Sequence, residues 1–324
     1  LVAVSPWSLQ FSRAGFEANG GLFFLCLGVY LFLVSLQKKY FYPLAGVAFV
    51  VSTYFYRSLE IVAPLILGAL LVLFWKKALS HWKIVLPSLI FAVLLALPIY
   101  YQTFFGQASI RGDQVSIFSQ EAHKLTYITT FIKGYLVHFS PDFLFLHGDP
   151  NGRHSVENMG QSYLWEIPVL ILGLIIAIKK RSQGLIFILV WLAVGPIPAG
   201  IATPVPHALR SLNTVIPLEI LAAVGISKLS KNILIKWLVI ALFALFFYRY
   251  LISYYEITPL KRTVDWADGN KQLVSYVQAN QAKYPVIIIS GHYWKPYIFF
   301  LFYEQYDPLA YQKFGTEKKF ANYL

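Results

Sequence analysis

One stretch of this 324-residue chain gathers residue types that do chemistry: His147-Gly148-Asp149-Pro150-Asn151-Gly152-Arg153-His154-Ser155. Glycine and proline supply turns around an acid, an arginine and two imidazoles. The stretch is the polar centre of a long gap, residues 102–162, between two groups of apolar segments. A chain solvated mostly by lipid places its chemistry where its helices stop, because charged side chains are costly inside hydrocarbon. The loop therefore reads as one wall of an active site on a membrane face. A Walker loop and a G-x-G-x-x-G fingerprint are both absent from the sequence. No His-x-x-x-His and no cysteine pair appears either, so no metal is assigned and a divalent ion has no ligand motif behind it.

The elements that must position this loop follow from composition. Hydrophobic residues make up 57% of the chain and charged residues only 13%, against about 25% charged in soluble domains. The pattern is that of an all-α polytopic membrane protein. Apolar runs long enough for spanning helices, which need about 20 residues, cover 18–36, 41–56, 59–75, 84–101, 164–178, 184–200, 212–227 and 233–253, or about eight spans. The net charge of +12 does not point to nucleic acid. Lys38-Lys39, Lys76-Lys77, Lys179-Lys180-Arg181 and the group Lys228, Lys231 and Lys236 fall in every second connection, the distribution that marks cytoplasmic loops. The long loop then lies outside the cytoplasm, in an inner or plasma membrane.

The lone cysteine, Cys26, sits in an apolar run as a small core residue and excludes an intrachain disulfide. The chain opens on Leu-Val-Ala-Val without an initiator Met and closes without a natural stop, so it reads as a fragment lacking its N-terminal part. Residues 1–257 form the transmembrane region. From 258 the character changes: helical spacing over 264–281 and a buried-strand pattern over 285–290 suggest the start of a small extracytoplasmic α/β domain.

The outer connections hold nearly all the unusual polar residues. Arg13 and Glu17 precede the first span, Arg57 and Glu60 cap a short turn, and Glu166 enters the fifth span. His207 and Arg210 lie in Pro204-Val205-Pro206-His207-Ala208-Leu209-Arg210. With His147, Asp149, Arg153 and His154 they are the candidate substrate-binding residues. Structural roles compete with this reading. Arg57 and Arg210 suit interfacial snorkelling, Glu60 and Glu166 suit helix N-termini, and His138 and His147 suit satisfied interface histidines. The functional reading gains from their shared side, since the cytoplasmic loops hold almost only lysine.

Three stretches together resemble bacterial protein-mannosyltransferase-like, family 39 glycosyltransferases. They are Ser5-Pro6-Trp7-Ser8-Leu9-Gln10-Phe11-Ser12-Arg13-Ala14-Gly15-Phe16-Glu17-Ala18-Asn19, the Gly148–Ser155 loop with Gly160 and Tyr163-Leu164-Trp165-Glu166, and Pro204-Val205-Pro206-His207-Ala208-Leu209-Arg210-Ser211. The resemblance implies a GT-C fold and transfer of a sugar from a polyprenyl-phosphate carrier to an acceptor outside the cytoplasm, whether protein, lipid or glycan. It also implies a catalytic carboxylate in an outer loop upstream of Leu1, so no general base is assigned and the fragment is expected to be inactive. A lipid-linked donor brings a phosphate to the membrane surface, where arginine or backbone N–H groups must hold it. Arg153 is the best match for that role. The competing readings are a transporter or flippase of lipid-linked sugars, a polymerase or ligase of lipid-linked glycans, and a structural scaffold. Charges at the outer rim and the absence of an internal repeat favour the enzyme over the transporter.

Overall fold

The computed structural model describes all residues except 107–109, 111–113, 121–123, 230–232, 285, 292–294 and 315–324, and leaves the side chains of 120, 124, 125 and 314 undescribed. Among the described residues the chain is helical and contains no strand. The helices are α1 (Pro6–Arg13), α2 (Glu17–Ser35), α3 (Tyr42–Phe55), α4 (Leu59–Leu73), α5 (Trp75–Ser80), α6 (Trp82–Phe105), α7 (Ile117–Gln120), α8 (Lys124–Leu136), α9 (Ile167–Lys180), α10 (Gln183–Val194), α11 (Ile197–Ile201), α12 (Val215–Leu229), α13 (Ile233–Ile252), α14 (Thr258–Lys261), α15 (Asn270–Asn280), α16 (Pro296–Tyr303) and α17 (Pro308–Phe314). The chain divides into two compact units, Leu1–Ser253 and Tyr254–Leu324.

Five helical segments are long and apolar enough to cross a membrane: Glu17–Ser35, Trp82–Phe105, Gln183–Ile201, Leu212–Leu229 and Ile233–Lys261. The protein is a helical membrane protein. The other three expected spans are apolar helices too, but α3 has 14 residues, α4 has 15 and α9 has 14, short of the length that crosses a bilayer at 1.5 Å per residue. The spanning helices are apolar on all sides. Phe23, Tyr30 and Leu33 on α2 and Ile90, Phe91, Val93, Leu94 and Leu97 on α6 are exposed, as lipid-facing surfaces are. Serines inside the apolar helices turn their hydroxyls onto their own backbone, as in Ser35 of α2 to Phe32 O at 2.6 Å, Ser52 of α3 to Phe49 O at 2.6 Å and Ser88 of α6 to Ile84 O at 2.7 Å.

The closest helix contact joins α9 and α12. A Cβ on Gly173 would lie 1.9 Å from the carbonyl oxygen of Leu221, and one on Gly225 would lie 2.0 Å from that of Val169. Each helix presents a bare backbone to the other's carbonyl, the small-residue packing by which apolar helices associate when there is no water to expel.

In the second unit, Val274 and Val277 of α15 and Phe300 of α16 form a small core, with Leu273, Ile287, Ile289 and Tyr297 partly buried against it. The strand expected over 285–290 is not formed at Val286–Ser290. Its alternation is real: Ile287 and Ile289 face the core while Ile288 is 91% exposed. A strand also needs a neighbour to pair with, and none is present among the described residues. The α/β expectation therefore becomes a helical unit with one extended segment.

Candidate functional site

The loop after α8 folds itself first. Ser140 Oγ accepts the Phe143 N–H at 3.2 Å, and a wide turn over Asp142–Leu146 follows. The N–H groups of His147 and Gly148 both donate to the Asp142 carbonyl, at 2.8 and 3.1 Å. Gly148 then takes φ +75°, a conformation natural to glycine alone. Two consecutive side-chain turns curl the chain back: Asp149 Oδ1 accepts the Asn151 N–H at 2.9 Å, and Asn151 Oδ1 accepts the Arg153 N–H at 3.0 Å. His154 is thereby returned to Asp149, donating from Nδ1 to Oδ2 at 2.9 Å, while Ser155 Oγ donates to the Asp149 carbonyl at 2.7 Å.

Remote segments close on this curl. The Ala208 N–H donates to Asp149 Oδ2 at 2.7 Å, and Trp7 Nε1 donates to the Ala208 carbonyl at 3.1 Å. Gln10 Nε2 donates to the Arg153 carbonyl at 2.8 Å, and the Trp7 N–H to the Gln161 carbonyl at 3.1 Å. His207 N–H donates to His138 Nε2 at 2.9 Å. That nitrogen must then be the acceptor, so the His138 proton sits on Nδ1, which reaches the Gly134 carbonyl at 2.7 Å. The His154 ring lies 5.7 Å from Phe11, 5.8 Å from Phe16 and 4.7 Å from His207, centroid to centroid. Asp149 and His154 are 3% and 4% exposed. One carboxylate thus collects three donors from two segments, behind an aromatic wall.

Electrostatics follow from this enclosure. Burial alone would raise the Asp149 pKa, but the hydrogen bond and charge of His154, with the N–H groups of Ala208 and Asn151, outweigh it and hold the carboxyl below its ordinary range. Burial lowers His138, against the opposing pull of the Gly134 carbonyl and Asp149. Burial, then the Arg210 guanidinium, lowers His207 to about 3.

The other candidate residues divide. His207 joins the cluster, and Asp149, His154 and His207 each place a ligand-type atom within 4.8 Å of the others. Metal-type ligands are therefore assembled here in space, by segments too far apart for a spacing motif to reveal. Arg153 is half-buried and serves the knot through its main chain. Arg210 Nη1 donates to the carbonyls of Ala202, Thr203 and Pro204 at 2.9, 3.0 and 3.3 Å, bracing the loop that carries His207. His147 pairs with Asp142 at the surface. Arg13, Glu17 and Arg57 are exposed. Glu60 is buried, its carboxylate accepting from the Thr103 hydroxyl at 2.7 Å and its carbonyl from the Tyr100 hydroxyl at 2.6 Å, which ties α4 to α6.

Glu166 is buried at 2% exposure. Glu219 is equally buried inside the segment Leu212–Leu229, and neither of its carboxylate oxygens has a hydrogen-bond partner among the described residues. An argument from outer loops passes over Glu219. Its signal is simple: an acid within an apolar run. Trp7, Gln10 and His138 also belong to the site: the first two lie in a stretch singled out by resemblance and the third is weighed only as an interface histidine, so none is named as a site residue from the sequence. Compared with known proteins, the chain matches no family model, no curated protein and no solved structure.

Proposed function

We propose that the protein is an integral-membrane glycosyltransferase that takes a sugar from a polyprenyl-phosphate carrier and passes it, with inversion, to an acceptor on the non-cytoplasmic side. One observation carries this reading. The three stretches that resemble family 39 glycosyltransferases are far apart in sequence, yet Trp7 and Gln10 of the first, Asp149, Arg153 and His154 of the second and His207 and Ala208 of the third are joined by direct hydrogen bonds and ring contact. A resemblance due to composition alone would give no reason for those stretches to meet. On this reading the knot forms the wall that receives the carrier phosphate. Arg153 offers a permanent charge and a planar fork for that anion. The basic connections face the cytoplasm, so cysteines placed at Lys77 and Asn151 in a Cys26-free background label from opposite sides with an impermeant reagent.

The test is binding of a polyprenyl-phosphate-linked sugar to the purified chain in detergent, which does not require turnover. Wild type binds it, and Arg153→Ala and Arg153→Lys weaken binding about 10- to 150-fold, the loss of a charge-assisted contact of about 1.5–3 kcal/mol. Equal binding by wild type and both variants removes Arg153 from the role. No binding of any such lipid by the folded wild type removes the reading itself.

One observation favours a second reading, transport of a lipid-linked sugar: the buried, unpartnered carboxylate of Glu219 within a membrane-crossing segment. Uptake of the lipid-linked sugar by proteoliposomes, abolished by Glu219→Gln and unaccompanied by sugar transfer, would select it.

A further inference from the structure

Asp149, His154 and His207 are more than a hydrogen-bonded latch. Holding the two loops together needs only the Asp149 carboxylate and the main-chain N–H of Ala208. It does not explain why two imidazoles from segments 53 positions apart are gathered beside that carboxylate, with ring centroids 4.7 Å apart and the rings tilted at 43°. Two imidazole nitrogens and one carboxylate oxygen are the donor set of a divalent transition metal of the zinc class. We propose that these three residues bind a single such ion.

The distances suit it. Zinc takes nitrogen and oxygen ligands at about 2.0–2.2 Å in a tetrahedron, which sets its ligands about 3.4 Å apart. Here the three ligand-type atoms already lie within 4.8 Å of one another, so closing on an ion requires side-chain movement of about 1 Å. The supports are fixed in advance. Asp149 is held by the Asn151 and Ala208 N–H groups, and the backbone at His207 by His138, whose other nitrogen is anchored on Gly134. Such outer contacts orient ligands in metal sites. Phe11 and Phe16 pack against His154, and Asp149 and His154 are both buried. The nearby cation, Arg210, turns Nη1 away onto three carbonyls. Three protein ligands leave a fourth tetrahedral position open, the arrangement of a site that takes up water or an anion rather than of a closed structural site.

The experiment uses the full chain in detergent, stripped with chelator, re-equilibrated with Zn²⁺ and assayed for bound metal. It then replaces zinc with Co²⁺ and records the visible spectrum. Wild type retains one ion per chain, and the Co²⁺ form shows the strong visible absorption of tetrahedral coordination. His154→Gln and His207→Gln each weaken the metal at least tenfold, whereas His147→Gln, altering the exposed histidine of the same loop, does not. Should the glutamine variants fold poorly, His154→Cys keeps a ligand in place, and its Co²⁺ form gains a near-ultraviolet thiolate band only if position 154 touches the ion. The proposal is overturned if folded wild type retains no metal, if the His154→Gln/His207→Gln double variant retains as much as wild type, or if the His154→Cys form binds Co²⁺ without that band. Sugar transfer enters none of these readouts, so this inference and the proposed function fail separately.

Discussion

In the polar knot, Asp149 is confined because three donors from two segments converge on its carboxylate. At the α9–α12 crossing, Gly173 and Gly225 are confined because nothing but backbone fits. Both places are tight, and they are sensitive to different insults. The knot depends on matched donors and acceptors, so it answers to protonation and to loss of a single polar group. The crossing depends on the absence of side chains, so it answers to volume. A membrane protein can use the second device anywhere along its helices. The first works only where chain ends and loops bring backbone N–H groups that helices would otherwise consume.

The sharpest way to break this contrast is Asp149→Ala. It strands the His154 imidazole and two backbone N–H groups in a buried space, and removing one partner of such a buried pair costs about 3–5 kcal/mol. Unfolding in detergent, followed by circular dichroism, should show a loss of that size. A loss under 1 kcal/mol would mean that the knot is not held through its carboxylate.

Acid probes the same groups more gently. His138 and His207 are both lowered from 6.5, the latter to about 3. The unfolded chain therefore takes up protons first as pH falls. Their contribution is fully present above 6.5 and is lost as pH drops toward the folded values, at up to about 1.4 kcal/mol per pH unit for each histidine. Asp149, also lowered, adds its own loss only below its ordinary value of 3.8. The share of stability held by these imidazoles should thus fall from pH 7 to pH 4, so the unfolding midpoint of His207→Gln should depend less steeply on acid than that of wild type. The same pH dependence in wild type and His207→Gln would contradict the enclosure of the imidazole.

Much of the architecture was legible because hydrophobic runs declare helices whatever surrounds them. All eight apolar runs are helical, and five belong to segments long enough to cross a membrane. Length was the weaker signal, since α3 and α4 stop before their apolar runs do and α9 begins three residues into its run. The polar loop at 147–155 announced itself by residue type. Its partners were only partly legible. His207 was picked out by type, while Trp7, Gln10 and Ala208 lay in stretches singled out by resemblance but not as single residues, and the value of Ala208 lies in its backbone N–H, which no side-chain pattern encodes. Arg210 was legible as unusual, and its Nη1 braces the loop that carries it. The expected strand at 285–290 kept its alternation and lacked a neighbour, which local spacing cannot supply.

The smaller predictions concern the crossing. In Gly173→Ala the new methyl would sit 1.9 Å from the Leu221 carbonyl oxygen, so α9 and α12 must move apart, and overpacking of this kind costs about 1–3 kcal/mol. Gly68→Ala is the matched control. Gly68 lies within α4, where an added Cβ meets nothing within 4 Å. Alanine there removes the entropic penalty of a glycine in a helix and should stabilise by about 0.4–1 kcal/mol. The two substitutions are chemically identical and opposite in sign, so unfolding midpoints measured side by side isolate the cost of separating two backbones. If both variants shift in the same direction, α9 and α12 do not meet backbone to backbone, and the glycines there serve only as flexible positions.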